Sequence, residues 1–229
     1  MEIKEFYNTK YSDFKAIPGF QLELLYCERI IKWLKRTKNW PDHEKKNYLD
    51  AGCGFGLKTA IFSREFDTST GIDNSERIIT ICQLLNGSKE NLDFKLKDIE
   101  DPGPGRYEFI TAFGISYFNI KDMSVLTERI AETSRKLIIN NGYMLIGTRT
   151  DLSGSSLSGW YYPTKKDLAE LMRQLKARLP GYKIIMIRPD HSIVYLLSGS
   201  FIKSIGSLRK VILNKPRDLF IIIKNEQGK

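Results

Sequence analysis

The chain has 229 residues, 41% hydrophobic and 28% charged, values ordinary for a soluble globular protein of one large domain or a domain with an added lid. It starts Met1-Glu2-Ile3-Lys4-Glu5, without the apolar core of a signal peptide, and no apolar run approaches the ~20 residues of a membrane helix. The net charge of +9 is placed unevenly: residues 1–159 carry 22 basic and 22 acidic side chains, whereas residues 160–229 carry 14 and 5.

In chain order, Phe20, Leu24, Cys27, Ile31 and Leu34 recur at three- and four-residue steps and predict an amphipathic helix over 20–36. Trp40-Pro41-Asp42-His43 breaks it. A strand at 47–51, a helix at 57–64, a strand at 68–72 and a helix at 75–85 follow, the last with Asn74 or Ser75 as N-cap. Next come a strand at 93–97, the turn Asp101-Pro102-Gly103-Pro104-Gly105, a strand at 107–113 and a helix at about 121–137. Asn140-Asn141-Gly142 reads as a turn into a strand at 143–148. Beyond a Ser/Gly-rich stretch (153–159), Thr164-Lys165-Lys166-Asp167 reads as a capping box opening a helix to about residue 178. Pro180-Gly181 ends that helix, and strands follow at 182–187 and 219–224. Strands alternating with helices predict an α/β fold: an open, Rossmann-like, mostly parallel sheet with helices on both faces.

The chemistry concentrates where the first strand ends, in Asp50-Ala51-Gly52-Cys53-Gly54-Phe55-Gly56. Glycines at a strand-to-helix turn remove the Cβ atoms that would hold a ligand off the backbone. They also present a helix N-terminus to negative charge. The next strand ends in Asp73, and an acid there suits ribose hydroxyls. A dinucleotide site needs a small residue where this chain has Leu57, and a P-loop needs Gly-Lys-Ser/Thr, which is absent.

On Asp50, Gly52, Gly54, Gly56 and Asp73 in this strand context, the chain resembles the class I S-adenosylmethionine-dependent methyltransferases over roughly residues 45–225. The resemblance implies a seven-stranded sheet whose last strand is antiparallel. It implies S-adenosylmethionine as cofactor and S-adenosylhomocysteine as product. Gly52, Cys53, Gly54 and Gly56 would pass under the methionine part, with Asp50 near its ammonium group. Asp73 would take the ribose, with Asn74, Asp98 and Ile99 at the adenine and Phe113 alongside the methionine. Cys53 reads as a small turn residue, since no His or Lys stands beside it to activate a thiolate. The family often has Asp where strand four carries Glu108. The domains implied are a helical lid or cap over 1–44, with Tyr11 closing on the cofactor, and a methyltransferase domain over 45–225, with 188–217 as an inserted basic segment.

His191 follows strand six on the carboxyl side of the sheet and is the candidate general base, an ordinary loop histidine being the competing reading. Tyr117, Arg149 and Tyr161 are candidate substrate contacts, with Tyr7 and Tyr162 as further aromatics at the mouth, and Arg149 suits an acidic group. The expected activity is O-methylation of a small-molecule or glycan-type acceptor. RNA methylation, or cofactor binding without catalysis, are the alternatives. Phe201, Ile205, Leu208 and Ile212 share one helical face and Lys203 and Lys210 the opposite one. Such a piece packs on the domain with its charges in water, covers a substrate, or lies on an anionic membrane; the first is the ordinary outcome. Cys27, Cys53 and Cys82 form neither a disulfide framework nor a metal pattern, so a cytoplasmic location is expected.

Overall fold

The period-two alternation of apolar side chains along the strands decides the layers. The computed structural model describes residues 20–42, 46–86, 89–103, 105–150, 160–189, 192–197, 199, 201–212 and 217–227. Strands β1 (Asn47–Ala51), β2 (Thr68–Asp73), β3 (Leu92–Leu96), β4 (Tyr107–Phe113), β5 (Ile138–Thr150), β6 (Tyr182–Ile187) and β7 (Arg217–Asn225) form one sheet in the order β3-β2-β1-β4-β5-β7-β6. The first five pair in parallel, and β7 runs antiparallel to both β5 and β6.

Tyr48, Phe109, Tyr143, Leu145, Phe220 and Ile222 point to one face, where helices α1 (Phe20–Arg36) and α2 (Leu57–Phe62) cover them. Their neighbours Leu49, Ile110, Met144, Ile146, Ile221 and Ile223 point to the other, under α4 (Met123–Leu137) and α5 (Lys165–Arg178). A one-residue slip of any central strand would therefore exchange its two apolar sets. Helix α3 (Glu76–Asn86) packs with β3 through Ile79, Cys82, Leu92 and Phe94. The capping box holds as the sequence implies, closed on α5 by Thr164 and Asp167; at α4, Asp122 accepts from the amides of Ser124 and Val125.

Two elements differ from expectation. Asn140-Asn141-Gly142 is not a turn before a strand but a bulge inside β5: Tyr107 pairs with Ile138, Phe109 with Tyr143, and Asn141 takes a φ of +60°. A Cβ on Gly142 would stand 2.9 Å from the Tyr107 carbonyl, so glycine lets the strand fold back onto the ladder. The basic segment contains helices α6 (Ser192–Leu197) and α7 (Phe201–Ile212), but the apolar face of α7 does not pack on the domain; Phe201, Ile205 and Leu208 are about half exposed or more. Among the described residues, no helix is long and apolar enough to cross a membrane.

β1 lies between β2 and β4, so the strand order reverses at its carboxyl end, where the three glycines sit. Open α/β sheets bind ligands in the crevice at such a point.

Candidate active site

The glycine turn is fastened to β2. The amides of Gly52 and Cys53 both donate to the Ile72 carbonyl, at 2.8 and 2.9 Å. Gly52, Gly54 and Gly56 all take positive φ (+69°, +51° and +72°), a region L side chains avoid. Their spatial needs differ. A Cβ on Gly52 would lie 2.3 Å from Ile115, and one on Gly56 would meet Phe94 and Cys82, whereas Gly54 has nothing within 4 Å. Gly54 is thus the open side of the turn.

Beyond it lies a cavity of about 630 Å³ at the carboxyl ends of β1 to β4, lined by Gly52, Gly54, Asp73, Asn74, Asp98 and Ile99, and by Phe113 to Tyr117. Asp73 accepts from the Gly54 amide on one oxygen (3.2 Å) and from the Ser75 amide on the other (3.0 Å). Each oxygen keeps a lone pair for a further donor, so the carboxylate can still receive two hydroxyls. An open glycine cradle facing a doubly available carboxylate fits a nucleoside with an extended chain.

A second cavity, of about 460 Å³, adjoins the first. Leu22, Glu23 and Tyr26 of α1 wall it on one side, and Thr148, Arg149, Tyr162, Asp218 and Phe220 on the other. Phe113, Gly114 and Trp160 line both cavities. Lys58 reaches in from α2 with its Nζ 2.7 Å from Glu23 and 5.7 Å from the centre of the Phe113 ring. Burial alone would lower the Lys58 pKa, but the Glu23 carboxylate more than offsets it, leaving the group above its ordinary value and cationic. Burial likewise opposes the charge on Arg149, and Tyr162 and Asp218, the latter 3.5 Å away, override it.

Residues 49–136 match the model of a methyltransferase domain. Over 84 residues the chain is 31% identical to the magnesium-protoporphyrin O-methyltransferase of Rhodobacter capsulatus; the likeness spans 35% of this chain and 38% of that enzyme. The plantazolicin methyltransferase BpumL, solved with a desmethyl analogue of plantazolicin and S-adenosylhomocysteine, superposes with a TM-score of 0.61 at 17% identity, over 98% of this chain and 91% of that one. A phosphoethanolamine N-methyltransferase of Haemonchus contortus gives 0.60 at 15% identity, over 87% and 53%.

Residues 49–136 are thus similar to a methyltransferase domain, and the chain has the fold of solved S-adenosylmethionine-dependent methyltransferases.

Within this fold the sequence candidates separate into groups. Gly52, Gly54, Asp73, Asn74, Asp98, Ile99 and Phe113 surround the first cavity. Tyr117, expected against the acceptor, lies on that cavity instead, its ring stacked 4.5 Å from the Arg129 guanidinium and its carbonyl accepting from the same side chain. Arg149 does line the second cavity. Asp50 lines neither: it is 2% exposed, and its two oxygens accept from Thr59 (2.6 Å) and Thr111 (2.7 Å) beneath the turn. Burial raises its pKa against the pull of those hydroxyls.

Cys53 is buried as a turn residue, its thiol pKa raised by the contact with Cys82 and by burial. Gly56 is a packing position under Phe94. Tyr161 turns away from both large cavities, its backbone bonded to Asn119 and its hydroxyl donating to Asp167 at 2.5 Å. Glu108 accepts from the Asn47 amide at the amino end of the sheet, a strand-fastening role remote from the site. Tyr7, Tyr11 and His191 lie outside the described residues.

Sequence reasoning missed Glu23, Lys58, Trp160 and Asp218. Trp160 and Tyr162 flank Tyr161 in extended chain, and period-two alternation would have selected them over it. Lys58 carried a signal too, since a cation in the first turn of a helix opposes the dipole and calls for a partner. Helix α1, read as part of a lid, is built into the core through Cys27, Ile31 and Leu34 while its first turns wall the second cavity.

Gly147 makes the junction possible: a Cβ there would stand 2.2 Å from the Phe113 ring. Gly147→Ala should push that ring into the junction and lower kcat/KM for the acceptor about tenfold or more. Steady-state kinetics beside a calorimetric S-adenosylhomocysteine titration checks this, the latter changing far less.

Proposed function

We propose that the chain is an S-adenosylmethionine-dependent methyltransferase that acts on oxygen of a small-molecule or glycan-type acceptor, in the second cavity. The supporting observation is the wall of Phe113, Gly114 and Trp160 common to both cavities, which would let a cofactor and an acceptor lie end to end. S-adenosylmethionine supplies a methyl group already activated on a sulfonium, so the protein's task is alignment and exclusion of water. Gly52, Gly54 and Gly114 would hold its methionine part, Asp73 its ribose, and Asn74, Asp98 and Ile99 its adenine. Lys58, kept cationic near the junction, favours an acceptor oxygen that carries negative charge and disfavours an ammonium. Arg149 would receive an acidic group of the acceptor in place of Asp218. The relative with sequence likeness is itself an O-methyltransferase.

His191 remains our candidate to take the proton of a neutral hydroxyl. Three free, buried cysteines fit a reducing compartment, and we assign the cytoplasm. For RNA, the second reading, the basic C-terminal third is poorly suited: exposed aliphatic side chains stand among its cations, where a phosphodiester chain offers them no partner.

Release of S-adenosylhomocysteine across a panel of phenols, carboxylic acids, sugars and amines tests the assignment. Lys58→Met should lower kcat/KM for the anionic acceptors about tenfold or more, with S-adenosylhomocysteine affinity unchanged. His191→Ala should cost about 10²-fold for a neutral hydroxyl and little for an ionised oxygen. Turnover confined to amines would overturn the assignment to oxygen. Tight cofactor binding with no turnover on any acceptor would leave a binding protein.

A further inference from the structure

Among the described residues, seven of the eleven large apolar side chains that stand exposed fall between residues 193 and 208: Ile193, Leu196 and Leu197 of α6, and Phe201, Ile202, Ile205 and Leu208 of α7. Ile202 is 85% exposed and Phe201 64%. Helix α6 packs on α1, the helix that walls the second cavity, and α7 is held chiefly by α6. The two helices thus form a ledge beside that cavity with its apolar side uncovered. A contiguous patch of this kind marks an interaction surface.

Charge selects the occupant. Residues 191–217 contain Lys203, Arg209, Lys210, Lys215 and Arg217 and not one acidic residue. A second copy of the chain docked by the same patch about a twofold axis would set these cations against themselves. Phe201, Ile205 and Leu208 lie within about a third of a helical turn of one another. Lys203 falls on the opposite side, and Arg209 falls at the flank, where its stem can lie along the apolar strip while its head meets an anion. Aliphatic side chains with cations at the rim match a lipid surface, whose hydrocarbon takes the former and whose phosphates take the latter.

We propose that α6 and α7 dock this protein on the surface of an anionic phospholipid bilayer, without spanning it. This rests on the exposed side chains and stands whichever acceptor is methylated. Sedimentation of the full chain with mixed phosphatidylcholine–phosphatidylglycerol vesicles, against pure phosphatidylcholine vesicles, tests it. Partitioning should favour the anionic vesicles and weaken with salt.

The Ile202→Ser/Ile205→Ser variant should lose about tenfold or more of that partitioning, and Arg209→Ala about fivefold. An unchanged thermal unfolding midpoint shows the variants folded, and needs no turnover to read. Equal binding to both vesicle types, no binding, or binding indifferent to these substitutions would overturn the proposal. So would a dimer in sedimentation velocity that the double variant dissolves, with no vesicle binding, because the surface would then be a self-interface.

Discussion

Asp73→Ala should weaken S-adenosylhomocysteine binding by about 10- to 100-fold, through the loss of charge-assisted hydrogen bonds to the ribose. Two observations set the size. The carboxylate receives a backbone amide on each oxygen, which holds both toward the cavity, and one of those amides belongs to the open glycine of the turn. Removing Asp73 therefore takes away the ribose acceptors and also a fastening of Gly54. Asp73→Asn separates the effects, since its amide oxygen can keep one backbone bond while its NH₂ cannot accept a hydroxyl. Calorimetry should place the Asn variant between wild type and Ala. Affinity unchanged in the Ala variant would move the ribose contact to another residue.

The largest stability loss is expected at Asp50. Its carboxylate is the acceptor for Thr59 and Thr111, and Thr111 is bonded in turn to the Tyr48 hydroxyl at 2.6 Å, so β1, α2 and β4 meet at one buried group. Asp50→Ala leaves two buried hydroxyls without an acceptor and should cost about 2–4 kcal/mol in denaturant unfolding. Asp50→Asn keeps the shape and should cost less, and its cost should change with pH. Asp50 binds its proton more tightly folded than unfolded, because burial raises its pKa above the ordinary 3.8. Its contribution is therefore fully present below that value and is lost as the pH rises through the folded pKa. The Asn variant lacks this dependence, so its stability relative to wild type should improve as the pH increases. A difference that stayed flat from acid to neutral would show that Asp50 titrates alike in both states.

The fold was legible because its signals are local. The apolar runs at residues 47–51, 107–113 and 219–224, the glycine turn, and the capping box at Thr164 each specify their own geometry. The first cavity was legible for the same reason, since Gly52, Gly54, Asp73 and Asp98 all sit at strand ends, and topology alone brings strand ends together. What failed needed a direction or a partner. Asp50 sits one residue from β1's end with its side chain turned inward, which spacing does not reveal. Tyr117, Tyr161 and the bulge at Asn141 depend on packing between distant segments: Arg129 for the first, Asn119 and Asp167 for the second, and the pairing with β4 for the third. The second cavity was the least legible, because it joins α1, β5 and β7 across nearly two hundred residues of chain.

The place of β7 has a consequence for synthesis. Residues 217–225 lie between β5 and β6, yet they leave the ribosome after both. Until they emerge, β6 has no neighbour to pair with, and β5 offers an open edge to any other nascent strand. The second cavity also lacks Asp218 and Phe220 throughout that interval. A polysome-bound chain halted before residue 217 should thus carry the glycine turn and most of the nucleoside cradle while having nowhere to hold an acceptor, and it would be the form most in need of a chaperone.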